Sequence, residues 1–92
     1  MRIISGTHKG RKLNIPKLTI RPTTDKNKEA IFNILNNKYL FENKNALDLF
    51  SGSGNIAYEF ASRGCKNIIA VDNNPKCIDY ISSQSNLFGF NI

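Results

Sequence analysis

Asn45-Ala46-Leu47-Asp48-Leu49-Phe50-Ser51-Gly52-Ser53-Gly54, followed by Asn55 to Ser62 and then Lys66-Asn67-Ile68-Ile69-Ala70-Val71-Asp72, is the stretch that decides the fold. Residues 45–50 are a short, mostly apolar run and predict a strand. Ser51 to Gly54 predict a tight glycine turn, after which Ile56, Ala57, Phe60 and Ala61 recur at helical spacing until Gly64. Residues 66–72 carry a β-branched run without alternation, as expected of a parallel strand covered on both faces. Pro75 suits the first turn of a further helix bearing Ile78, Tyr80, Ile81 and Leu87. Strand, helix, strand, helix is the opening of an α/β sheet with right-handed crossovers. Two strands cannot bury both faces of such a sheet, so residues 1–92 are expected to form one partial domain, truncated before a third strand.

The turn also carries chemistry. Glycines between a strand and a helix let the backbone bend sharply and let a ligand approach the main chain. Asp72 ends the second strand, where a carboxylate can accept hydrogen bonds from the two hydroxyls of a ribose. Gly52, Gly54 and Ala57 also spell Gly-x-Gly-x-x-Ala, a variant of the dinucleotide fingerprint. Asp48 argues against that alternative, because a pyrophosphate wants bare amides at the helix start and no carboxylate nearby. The same carboxylate suits a ligand with a cationic amino group, such as the methionine part of S-adenosylmethionine.

Residues 2–5 and 11–15 read as two short strands joined by Gly6-Thr7-His8-Lys9-Gly10, a β-hairpin that Pro16 ends. Pro22 holds Arg21 extended, and Thr23 or Thr24 can cap the helix that follows. Ala30, Ile31, Ile34 and Leu35 form its apolar stripe, which should run to about Asn36. Tyr39, Leu40 and Phe41 are expected to pack the connection onto the next strand. Residues 1–22 thus make a basic hairpin extension, and 23–92 the α/β part.

Charge is concentrated at one end. Residues 1–28 hold eight basic side chains against Asp25 alone, whereas residues 29–92 hold five basic and six acidic ones. Such asymmetry points to a polyanionic partner. Cys65 and Cys77 are too few for a zinc site and read as reduced thiols, and His8 has no partner for a metal or acid–base role. No metal is expected. No apolar run approaches the ~18 residues of a membrane span, and Met1-Arg2-Ile3-Ile4-Ser5-Gly6 is unlike a secretory signal, so a cytoplasmic protein is expected.

Three separated motifs carry a family resemblance. Asp48 to Gly54 is similar to the first cofactor motif of Rossmann-like (class I) methyltransferases. Met1-Arg-Ile-Ile-Ser-Gly with Gly10-Arg11-Lys12-Leu13, then Arg21-Pro22-Thr23-Thr24-Asp25 with Glu29-Ala30-Ile31-Phe32-Asn33-Ile34-Leu35, resembles the RsmD family. That family methylates the exocyclic N2 of a guanine in small-subunit ribosomal RNA. The resemblance implies that Asp48, Phe50, Ser51, Gly52 and Gly54 line the methionine end of S-adenosylmethionine. It implies Asp72 at the ribose and Asn73 and Asn74 near the adenine. Arg2, Lys9, Arg11 and Lys12 would meet RNA phosphates, and Arg21 and Thr23 would sit by the donor or the RNA. The partner implied is ribosomal RNA or an assembling small subunit. The family's Asx-Pro-Pro-aromatic catalytic motif has no counterpart here, because no Pro-Pro pair occurs in the 92 residues. No catalytic residue is therefore assigned. A basic RNA-binding module without catalysis and a dinucleotide-binding oxidoreductase fragment are the alternatives.

Overall fold

In the computed structural model, which describes residues 1–13 and 24–92, β1 (Asn45–Leu49) and β2 (Asn67–Val71) pair in parallel. The register runs from Asn45 beside Asn67 to Leu49 beside Val71, so the two strands end together. α2 (Asn55–Ser62) makes the crossover between them, and α3 (Pro75–Phe88) follows β2. These bounds match the sequence expectations to within a residue or two. The caps explain why. Pro75 occupies the first turn of α3, the Asn74 side chain accepts from the Lys76 amide, and Gly89 closes the helix in the left-handed region.

α1 (Asp25–Asn36) begins where Thr24 accepts a hydrogen bond from the Asn27 amide, 3.2 Å away. Its buried face is not the expected stripe. Ile31 and Ile34 are exposed, and Lys28 and Phe32 are the residues buried. Phe32 packs edge-on to Phe60 and lies against Phe41, with the Arg63 guanidinium over its ring at 4.6 Å. A corner of three aromatic rings and a neutralised ammonium outcompetes two aliphatic side chains. Phe41 alone of the Tyr39-Leu40-Phe41 connection is buried.

The N-terminal hairpin is short. Arg2 and Lys12 form a single antiparallel bridge, flanked by Ile3 N–H to Arg11 O (2.9 Å) and Leu13 N–H to Met1 O (3.0 Å). Asn14 and Ile15, the end of its expected second strand, lie outside the described residues. Ile3 and Leu13 point inward and join Tyr58, Ile81 and Phe88 in the main core. His8, in the turn of the hairpin, is half-buried against Phe88 and Phe90.

The hairpin, α2 and α3 thus share one side of the sheet. On the other, Leu47 (61%), Leu49, Ile69 (62%) and Val71 are open to solvent. β2 was expected to be covered on both faces; within these 92 residues it is covered on one. No helix among the described residues is long and apolar enough to cross a membrane.

Candidate functional site

Because β1 and β2 end together, the turn after each falls on the same edge of the sheet. The Gly52 amide donates to Asp72 Oδ2 at 2.9 Å, and the Asn74 amide donates to Asp72 Oδ1 at 2.9 Å. Asp72 therefore ties the glycine turn to the start of α3. Both amides stabilise its charged form and hold its carboxyl below the usual value. Each oxygen keeps a second lone pair for a further donor. Asp72 is not the cap of α3; Asn74 is.

Ser51 donates to the Val71 carbonyl through its amide (2.9 Å) and its hydroxyl (3.2 Å), and the Gly54 amide returns to Ser51 O at 2.9 Å. Gly54 ends the turn at φ 87° and, having no side chain, makes no cap bond to α2 itself. A Cβ there would come within 2.6 Å of the Tyr58 ring and 2.9 Å of Ile81, so this glycine is fixed by packing as well as by its backbone angle. Phe50 sits in the left-handed region without being glycine, at φ 56°, and is 88% exposed. A phenylalanine held this way costs on the order of 1–2 kcal/mol.

Asp48 is half-buried on β1, behind the turn. It accepts a hydrogen bond from the Ala57 amide, while its Oδ2 is buried and has no hydrogen-bond partner among the described residues. Burial pushes its pKa up, the Ala57 amide acts the other way, and the charge of Asp72 adds to the rise. A carboxylate with one orphaned oxygen beside a second carboxylate is a site that a cation would relieve.

The fold therefore brings Asp48, Phe50, Ser51, Gly52, Gly54, Asp72, Asn73 and Asn74 to one edge. Arg2, Lys9, Arg11 and Lys12 are exposed on the hairpin instead. Arg2 faces Asp25 at 3.9 Å, and the Arg11 guanidinium lies 4.9 Å from the Phe88 ring centroid. Arg21 and Thr23 lie outside the described residues. Lys28, counted with the basic end in the sequence, is fully buried and adds nothing to that surface. Lys28 and Glu59 were not singled out from sequence. Lys28 lies one turn from Phe32, but the expected apolar stripe left out Phe32 itself, so no local pattern marks either residue as buried. Among the described residues no three His, Cys, Asp or Glu side chains come together as metal ligands would.

A profile of the family described as conserved hypothetical protein 95 matches residues 1–92. The Bacillus subtilis protein YlbH is 45% identical over 85 residues, which is 91% of this chain and 45% of that protein. The ribosomal RNA small subunit methyltransferase D of Haemophilus influenzae is 41% identical over 73 residues, 78% of this chain and 37% of its own length. The solved structure of the Escherichia coli protein yhhF superposes with a TM-score of 0.83 at 28% identity, over 97% of this chain and 47% of that one. The chain thus spans less than half the length of each of these proteins.

Proposed function

The chain belongs to the conserved hypothetical protein 95 family, the RsmD family of ribosomal RNA methyltransferases, and on that premise we propose that it forms the donor-binding half of an S-adenosylmethionine-dependent enzyme that methylates a guanine N2 in small-subunit ribosomal RNA. The observation that carries this reading is the orphaned Oδ2 of Asp48. An ammonium group would satisfy it; a pyrophosphate would be repelled.

In this reading Asp48 holds the amino group of the methionine moiety, and the start of α2 faces its carboxylate. The two free lone pairs of Asp72 accept the ribose hydroxyls, and Asn73 and Asn74 border the adenine. Phe50, exposed at the turn, covers the donor from the solvent side. When bound, S-adenosylmethionine supplies an electrophilic methyl group. The chain's own work is to fix that group and exclude water, the positioning share of catalysis. The basic hairpin holds phosphates of an RNA whose target base must be unpaired to reach the site. The acceptors that would localise the guanine amine's lone pair are those of the family's Asx-Pro-Pro-aromatic motif, which does not occur in these 92 residues.

Titration calorimetry with S-adenosylhomocysteine tests the donor assignment, with a nicotinamide dinucleotide as competitor. Asp48→Asn should weaken S-adenosylhomocysteine binding by about tenfold or more, the worth of one charge-assisted hydrogen bond, and the dinucleotide should not compete. Equal binding by wild type and Asp48→Asn would overturn the reading.

A further inference from the structure

Lys28 is the one lysine among the described residues with no exposed surface, and its ammonium, carried on α1, reaches both the hairpin and α2. It donates to the Arg2 carbonyl at 2.6 Å, to Asn55 Oδ1 at 2.8 Å, and lies 3.1 Å from Glu59 Oε1. An ammonium has three protons, so all are used. Glu59 is equally buried. It accepts from the Ile4 amide (2.8 Å), the Ser5 amide (3.1 Å) and Arg63 Nε (2.7 Å). Two cations and one anion have been taken out of water at one point between α1, α2 and the hairpin.

A buried ion cluster is weak evidence for stability, since apolar residues of the same volume are often as good or better. What such a cluster does provide is a single geometry, because every lone pair and proton must find its partner. Here the partners are distributed with a purpose. Arg2, Ile4 and Ser5 belong to the hairpin that carries Arg2, Lys9, Arg11 and Lys12. Asn55 is the first residue of α2, next to Gly54 of the glycine turn. One ammonium therefore spans the basic hairpin and the turn.

We infer that Lys28, Asn55 and Glu59 are positioning residues that hold the basic hairpin in fixed register with the glycine turn, so that RNA bound by the first meets the donor bound by the second. This rests on the assignment of hairpin and turn made above. Lys28 has no surface with which to touch a phosphate or the donor, so any effect on binding must pass through the residues it holds.

The test uses the 92-residue chain, S-adenosylhomocysteine and a transcript of small-subunit ribosomal RNA. Lys28→Met keeps the aliphatic stem and leaves Glu59 neutralised by Arg63, so the fold should survive. Asn55→Ala removes the arm from Lys28 to the turn. Lys28→Met should lower the affinity for both ligands about fivefold or more and speed amide exchange at Ile4 and Ser5 while the rest of α2 and α3 stays protected. Asn55→Ala should weaken S-adenosylhomocysteine alone. Because Lys28 acts on the turn through Asn55, the double variant should bind S-adenosylhomocysteine no more weakly than Lys28→Met. A purely structural role would instead give additive losses, and that result overturns the proposal. So would wild-type affinities in a folded Lys28→Met. If Lys28→Met loses its cooperative urea transition, Asn55→Ala decides: unchanged S-adenosylhomocysteine affinity there rejects the coupling. Wild type that binds neither ligand would strike the site assignments themselves, and the proposal with them.

Discussion

Gly6 offers the sharpest perturbation of how the hairpin is seated. At φ 91° it lies outside the region L-residues prefer, and a Cβ built on it would collide with the Ser62 carbonyl and sit 2.8 Å from the Arg63 nitrogen. Both obstacles are backbone, so no rotamer change relieves them, and the hairpin would have to lift off α2. Lifting it breaks the Thr7 amide bond to Ser62 O (2.8 Å), the His8 amide bond to Ser62 Oγ (3.0 Å) and the Ser62 hydroxyl bond to Ser5 O (2.6 Å). At about 1 kcal/mol each, with about 1–2 kcal/mol of backbone strain, Gly6→Ala should cost roughly 4–5 kcal/mol. Small domains hold only about 5–15 kcal/mol in total, so most of the folded population would be at risk. Gly10→Ala is the internal control. Gly10 has a similar φ of 82°, but a Cβ there meets nothing within 4 Å, so only the strain of about 1–2 kcal/mol remains. Urea unfolding followed by far-UV circular dichroism reads both. If the two variants fall within about 0.5 kcal/mol of each other, a margin at the level of ordinary surface substitutions, the docking argument fails.

Two further expectations concern buried polar groups. Tyr58 is fully buried and its hydroxyl has no hydrogen-bond partner among the described residues, so Tyr58→Phe should leave stability unchanged or raise it by about 1 kcal/mol. A loss of that size in the same urea assay would mean that the hydroxyl is paired. Asp72 and Asp48 should respond to acid in opposite directions. The Asp72 pKa is depressed by the Asn74 and Gly52 amides, so its contribution is present above its ordinary 3.8 and lost as pH falls through the folded value. Asp72→Asn should therefore be less stable than wild type near neutral pH, with the gap closing in acid. The Asp48 pKa is raised, first by burial, so wild type loses stability as pH rises from 3.8 through the folded value. Asp48→Asn should be at least as stable as wild type above that window. Urea transitions at neutral and acid pH for both variants check this, and a shared direction for the two would refute it.

Everything held by neighbours in the chain was legible before any folding was considered. The βαβα order, a threonine cap ahead of α1, Pro75 and the glycine turn are set by hydrogen bonds and periodicities a few residues long. The meeting of Gly52 with Asp72 follows once β1 and β2 pair without stagger, from Asn45 beside Asn67 to Leu49 beside Val71. The remaining features depend on partners far away in sequence. α1 turns Lys28 and Phe32 inward, rather than Ile31 and Ile34, because the acceptors for the Lys28 ammonium come from Arg2, Asn55 and Glu59, and the ring of Phe32 meets Phe41, Phe60 and Arg63. No local pattern announces that a lysine will find three acceptors, so hydrophobic periodicity assigns the helix and misplaces its face. The seating of the hairpin on Ser62 and the orphaned oxygen of Asp48 are likewise outcomes of packing. Burial turns a charge from a surface feature into a geometric constraint, and burial is a property of the whole fold.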